Sequence, residues 1–290
     1  MPRPSRYVHD DQLGWASRPG HVEPELTIDL AGLRMTGPTA PHVRTMAPVL
    51  AVGDSFTFGE EVSDQDTWPS KLQARTGRRV LNGGVSGYGL DQIVLRAENL
   101  TVLHKPEFVV LSFIADDVDR TEMRRLWWRN KPWFVTTSDG LVLKGIPVPH
   151  HSPPRIMRAV RRLERVLRAL PPGAQHRLGY HVRVLPKGTG KLIAFGLIER
   201  LAALQQSSGA RVLLVAEYDA HVWVESTMAT LQRNLTGELL SHAVRCGLRT
   251  VDSFSLFASA RKPRHLYRSW HMNEQGNGMI ASLVSAALTA

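Results

Sequence analysis

The sequence holds a single cysteine, Cys246, among 290 residues, so no internal disulfide can form and folding does not require an oxidising compartment. Cys246 reads as a small buried hydrophobe. No run approaches the roughly 20 apolar residues that a membrane span requires. The N-terminus, residues 1–10, carries positive charge without the apolar core of a secretory signal, so the expected location is cytoplasmic, with peripheral membrane contact left open. Acidic residues are in deficit: 26 Asp and Glu face 36 Lys and Arg, a formal charge of +10. That balance attracts nucleic acid, anionic lipid or acidic polysaccharide at long range without dictating a fold. No nucleic-acid module accompanies it, so nucleic acid is not an expected partner. Metal-ligand spacing is missing too, because His150 and His151 have no companion carboxylates or cysteines around them. No metal or cofactor is expected. The stretch Gly188-Thr189-Gly190-Lys191 lacks both the spacing of a phosphate loop and a preceding strand, which leaves it as a linker.

What is present is enough apolar residue, 43%, for one substantial core. Residues 1–45, rich in Pro, Gly and His, show little periodicity and are expected to form an irregular lead-in that wraps the main domain, residues 46–290. Apolar runs at 46–52, 79–82, 108–114, 211–216 and 249–251 read as strands. Helices are expected over 67–75, 90–103, 192–207, 226–246 and 274–288, the first with Pro69 in its opening turn. Continuous apolar strands alternating with helices predict an α/β fold, a mainly parallel central sheet covered on both faces. In such sheets the crevice beyond the carboxyl ends of the strands binds ligands.

Residues 120–190 break the alternation and read as an inserted lid. A hairpin is expected over 134–143, turning at Asp139-Gly140, followed by a loop over 147–154. Residues 155–170 carry Ile156, Val160, Leu163, Leu167 and Leu170 at helical spacing, with Arg158, Arg161, Arg162, Arg165 and Arg168 largely elsewhere. A helix with a solvated basic face satisfies this pattern, and docking from Arg155 to Arg168 onto an anionic surface or a protein partner is the sharper alternative. Trp127, Trp128 and Trp133, set among Arg124, Arg125, Arg129 and Lys131, fit lid packing or contact with a glycan.

Ser55 follows the first buried strand in Gly53-Asp54-Ser55-Phe56-Thr57-Phe58-Gly59. A serine placed there can turn its hydroxyl into the crevice and its own N–H toward a developing oxyanion. The same stretch could instead be a turn of common turn residues. Three further blocks follow strands in the same way: Asn82-Gly-Gly-Val-Ser-Gly-Tyr-Gly89, Phe113-Ile-Ala-Asp-Asp117 and His271-Met-Asn273. Together the four resemble the blocks of the SGNH (GDSL-type) hydrolases, over roughly residues 46–118 and 190–290. Leu13-Gly14-Trp15 and Gly32-Leu33-Arg34 are similar to bacterial members that act on or around polysaccharides.

The resemblance implies a flavodoxin-like three-layer α/β/α sandwich with Ser55 as nucleophile and His271 as general base and acid. It implies an oxyanion hole from the N–H groups of Ser55 and Gly87 and the side chain at Asp116, with Asp54, Asp117 and Asn273 in support. Tyr88, next to Gly87, is expected to line the substrate cleft. Two positions depart from the pattern. Asp116 stands where the family has asparagine, and an ionised carboxylate cannot donate a hydrogen bond. Burial and the adjacent Asp117 are expected to raise its pKa and keep it neutral. Arg268 stands where an acid should orient the histidine, leaving a backbone carbonyl, Asp219 or Asp252 for that task, or a bare Ser-His dyad. The implied activity is hydrolysis of an O-acyl ester, an acetyl ester of a glycan or small molecule. O-acyl transfer from the same intermediate, or a binding or assembly role on an impaired site, are the alternatives.

Overall fold

The computed structural model describes residues 5–38, 46–150, 166 and 170–289. The basic helix expected over 155–170 lies outside the described residues except at 166 and 170. The lead-in is not irregular throughout: β1 (Tyr7–Asp10) pairs with β2 (Gly14–Ser17), and β3 (Val22–Glu23) with β4 (Leu26–Thr27). Strands of two to four residues are too short to show alternation in sequence, which is why composition pointed to a loop.

The central sheet begins with β5 (Val49–Val52), which runs into the short helix α1 (Ser55–Phe58). Next come α2 (Trp68–Thr76), β6 (Val80–Asn82), α3 (Leu90–His104), β7 (Phe108–Phe113) and α4 (Ala115–Arg120). Thr67 caps α2 by accepting from Ser70 N–H, Pro69 needs no intrahelical partner there, and Gly77 ends it at φ 66°.

The insertion supplies β8 (Met123–Leu126), β9 (Arg129–Asn130), β10 (Trp133–Thr137), β11 (Gly140–Lys144), α5 (Pro172–Arg177) and β12 (Val182–Arg183). The expected hairpin forms from β10 and β11 but turns at Ser138-Asp139, one residue before Asp139-Gly140, because Gly140 pairs with Thr137, and β8, β9 and β12 form a second small sheet. The chain then returns through α6 (Gly190–Ser208), β13 (Arg211–Ala216), α7 (Ser226–Arg245), β14 (Arg249–Asp252), α8 (Phe254–Ala258) and α9 (Glu274–Thr289).

Strand order is β14-β13-β7-β5-β6, every pair parallel. Alternate residues of one strand serve opposite faces. Leu50, Val52, Val109 and Leu111 pack with α3, α6 and α7, whereas Val49, Ala51, Phe108 and Val110 pack with α2 and α9. The sheet grows in one direction from β5 to β6 and in the other from β5 to β7. The ends of β5 and β7 therefore form the switch point where such folds open a crevice. Among the described residues, no helix is long and apolar enough to cross a membrane.

The lead-in and the lid are both tied to this frame. Arg34 is buried and donates to the carbonyls of Phe58, Gly59 and Val62 and to Asp64, fixing the loop after α1. Lys131, equally buried, places Nζ 2.5 Å from Asp91 and within 3.2 Å of the carbonyls of Arg120, Met123 and Pro132. Gly188 and Gly190 N–H donate to Glu122 Oε1 at 2.7 and 2.9 Å. The glycine stretch before α6 is thus a seat for a carboxylate of the chain itself.

Candidate active site

Ser55 opens α1 directly beyond β5, with Asp54 as the cap: Asp54 Oδ1 accepts from Phe56 N–H at 2.9 Å. Close packing demands the glycines around it. A Cβ on Gly53 would stand 2.1 Å from Thr57 Oγ1, and one on Gly84 2.3 Å from Phe58 N. Ser55 Oγ lies 2.9 Å from His271 Nε2, joining the first strand end to the turn before α9. Among the described residues, neither Ser55 N–H nor Gly87 N–H donates to a protein acceptor, and both residues line one cleft of about 890 Å³. Gly87 sits at φ +80°, and a Cβ there would meet the Trp127 ring at 2.3 Å.

A charged network lies behind the serine. Arg120, one helical turn after Asp116, donates through Nη1 to Asp117 Oδ1 at 2.6 Å, Tyr88 O at 2.9 Å and Asp54 Oδ2 at 3.3 Å. Asp54 Oδ2 also accepts from Ser55 Oγ at 3.2 Å. Burial, together with Asp54, raises the Asp117 pKa well above the usual carboxylate range, with Arg120 opposing. Glu217, just past β13, is buried beside Ser112. Burial and Asp54 push its carboxyl well upward as well.

Asp116 lines the cleft but is not buried, since 60% of its side chain is accessible. Desolvation by the cleft walls, then the charges of Asp219, Asp119 and Asp54, still raise its pKa, against Arg120. Asp116 and Asp117 also repel one another, although the Asp117 carboxylate turns inward to Ile114 N–H and Arg120. Tyr88 does not line the cleft. The left-handed turn at Gly87 sends it inward, where it is 0% exposed, donates to Trp15 O and packs edge-on against Trp15. Asn273 is a cap: its Oδ1 accepts from Gln275 and Gly276 N–H, both at 3.0 Å, while Nδ2 donates to His265 O.

Among the described residues, neither a backbone carbonyl nor Asp219 nor Asp252 hydrogen-bonds His271 Nδ1. Asp219 is engaged by His221 and Gln232, Asp252 accepts from Phe254 N–H, and Arg268 pairs with Glu274. The carboxylate in ion-pair range of His271 Nδ1 is Glu61, at 3.6 Å. A signal for it exists in the sequence only as an acid just past the Gly59 turn, six residues after the nucleophile.

The lead-in, the lid and the residue before the histidine all contribute walls to the cleft, through Arg6 and Tyr7, Trp127 to Arg129, and Trp270. Trp127 and Trp128, both at positive φ, form the turn between β8 and β9. Trp270 is 57% exposed, its ring 4.6 Å from that of His221.

The class of protein is set by its family, one of hydrolases that act on esters. The chain belongs to the GDSL-like lipase/acylhydrolase family, whose model matches residues 51–279. No curated protein matches the sequence. Among solved structures, an α/β hydrolase from the Lake Arreo metagenome shares 17% identity, with 84% of this chain and 97% of that one covered at a TM-score of 0.51. A member of the lipolytic G-D-S-L family from Veillonella parvula shares 14%, over 84% and 99%, at 0.48. A lipase/acylhydrolase from Enterococcus faecalis shares 12%, over 84% and 95%, also at 0.48.

Proposed function

We propose that the protein hydrolyses an O-acyl ester of a sugar through an acyl-Ser55 intermediate, with His271 as general base and acid. The observation that carries this is the 2.9 Å contact between Ser55 Oγ and His271 Nε2 at an open cleft. His271 takes the Ser55 proton as Oγ attacks the ester carbonyl, and the N–H groups of Ser55 and Gly87 face the oxygen that becomes negative. Collapse of the tetrahedral intermediate expels the alcohol, which receives the proton from His271. Water, deprotonated by the same imidazole, then releases the acid and restores Ser55.

The sugar is supported by the cleft. Its volume exceeds what a short acyl group fills, and exposed Trp270 lines it together with Trp128, Glu60, Ser86 and Asp219. Flat aromatic faces with hydrogen-bonding groups around them suit a pyranose ring. An acetyl group as the acyl part follows from the family resemblance alone. Transfer of that acyl group to a second sugar uses the same intermediate, and acetate release measured against transfer to an added sugar separates the two outcomes.

A binding role without turnover is favoured by one observation: the carboxylate of Asp116 stands where the family has a donor. A fluorophosphonate probe decides between them. Labelling of the wild type at Ser55 and none of Ser55→Ala, with turnover falling by about 10⁴-fold or more, establishes the nucleophile. An unlabelled wild type that still binds glycan establishes the binding role.

A further inference from the structure

His271 has two ring nitrogens, and Ser55 accounts for one. Nδ1 is shielded from solvent and has no partner at hydrogen-bond distance among the described residues. An imidazole that takes a proton at Nε2 carries its other proton at Nδ1, so whatever faces Nδ1 sets the tautomer and stabilises the imidazolium. Glu61 Oε1 stands there at 3.6 Å. Such contacts are commonly long in unliganded sites and tighten with substrate.

Glu61 is built into the turn that aims His271. Ser269 N–H donates to Glu61 Oε2 at 3.1 Å, and the Ser269 hydroxyl donates to Oε1. Two residues on, the turn closes through Arg268 N–H to His271 O at 2.9 Å and the pairing of Tyr267 with Met272. From the other side, Arg34 grips the carbonyls of Phe58, Gly59 and Val62. Glu61 itself adopts φ 69°, left-handed backbone that a side chain with Cβ disfavours and that persists where surroundings impose it.

Competing cations are taken: Arg6 by Glu60, Arg34 by Asp64 and Arg268 by Glu274. So are the other acids near His271. Asp54 holds Phe56 N–H, Ser55 and Arg120, Asp219 holds His221 and Gln232, and Asp116 faces Arg120 at 3.9 Å. Burial pushes the Glu61 carboxyl upward, but the Ser269 hydrogen bonds and His271 outweigh it and hold the group below its ordinary value. It is therefore ionised at neutral pH.

We propose that Glu61 is the positioning carboxylate of the His271 base, supplied from six residues after the nucleophile in place of an acid three residues before the histidine. This rests on Ser55 and His271 working as nucleophile and base. The swap explains Arg268: with the acid delivered from the loop after α1, that position is free to pair with Glu274.

Glu61→Gln and Glu61→Gly test it, assayed with p-nitrophenyl acetate, by thermal melting and by proton NMR of the His271 Nδ1–H resonance. In both variants kcat falls about 10²- to 10⁴-fold while KM stays within about twofold. In Glu61→Gln the downfield proton resonance of His271 Nδ1–H moves upfield, because its charged acceptor has gone. In Glu61→Gly, Tm holds or rises by roughly 2 °C as left-handed strain is relieved, so lost activity cannot be lost folding. Retention of kcat within about threefold, an unmoved His271 Nδ1–H resonance, or a fall in Tm that accounts for the lost rate overturns the assignment. A wild type that neither turns over ester nor labels with fluorophosphonate, yet whose His271 Nδ1–H resonance still moves in Glu61→Gln, removes the esterase and keeps the pair.

Discussion

Ser55 and His271 stand 216 positions apart in the chain and are held by different kinds of structure. Ser55 is placed by topology: two parallel strands diverge at β5, the chain turns at Gly53, and the hydroxyl emerges over the switch point. His271 is placed by hydrogen bonds within a short turn. Arg264 donates to the carbonyls of Tyr267, Arg268 and Ser269, Ser269 holds Glu61, and Asn273 begins α9. A strand end fixes where a side chain is, and a side-chain network fixes where it points. The first kind of control withstands sequence change, because any apolar strand supplies it. The second depends on individual residues.

Breaking the strand-end half needs a change beneath it. Arg120→Gln leaves Asp54 and Asp117 without their shared cation inside the protein, and stability measured by urea unfolding is expected to fall by about 3–5 kcal/mol. A loss under about 1 kcal/mol would mean that charge does not hold this half together.

Gly87→Ala is the next largest. Its Cβ would press on Trp127, and φ +80° disfavours any side chain, so a loss of about 1–3 kcal/mol is expected, with a drop in kcat. Adding Trp127→Ala should recover part of the stability, and recovery of all of it would show that the backbone strain counts for nothing.

Asp116→Asn has the smallest effect and sharpens the comparison most. Only the protonated carboxyl can donate to an oxyanion, and the raised pKa of Asp116 means that this form is lost as pH climbs through it. An amide donates at every pH. The rate of the variant relative to wild type should therefore grow with pH, from near 1 in acid to about tenfold at pH 8. A ratio that is flat, or below 1, would place Asp116 away from the oxyanion.

Much of the frame was legible because buried parallel strands such as Phe108–Phe113 and Arg211–Ala216 are written as unbroken apolar runs. Ser55 and His271 were legible for a related reason, since each lies at a fixed place relative to such an element. Tyr88 was misplaced because a positive φ at Gly87 reverses the direction of the next side chain, and sequence spacing does not encode that. Glu61 was missed because its partner is distant in sequence and is reached only once the turn at Ser269 is formed. The lead-in strands escaped because two to four residues hold no period.

Among the described residues, four that are not glycine adopt positive φ: Glu61, Lys105, Trp127 and Trp128. Lys105 merely ends α3, whereas the other three stand beside His271 or roof the cleft. Selection for thermal stability alone would find easy gains there, replacing each by glycine or asparagine. A laboratory lineage evolved on melting temperature without an activity screen should therefore lose its cleft first and its fold last. The positions where it drifts would mark out what the natural chain keeps at a loss for the sake of chemistry.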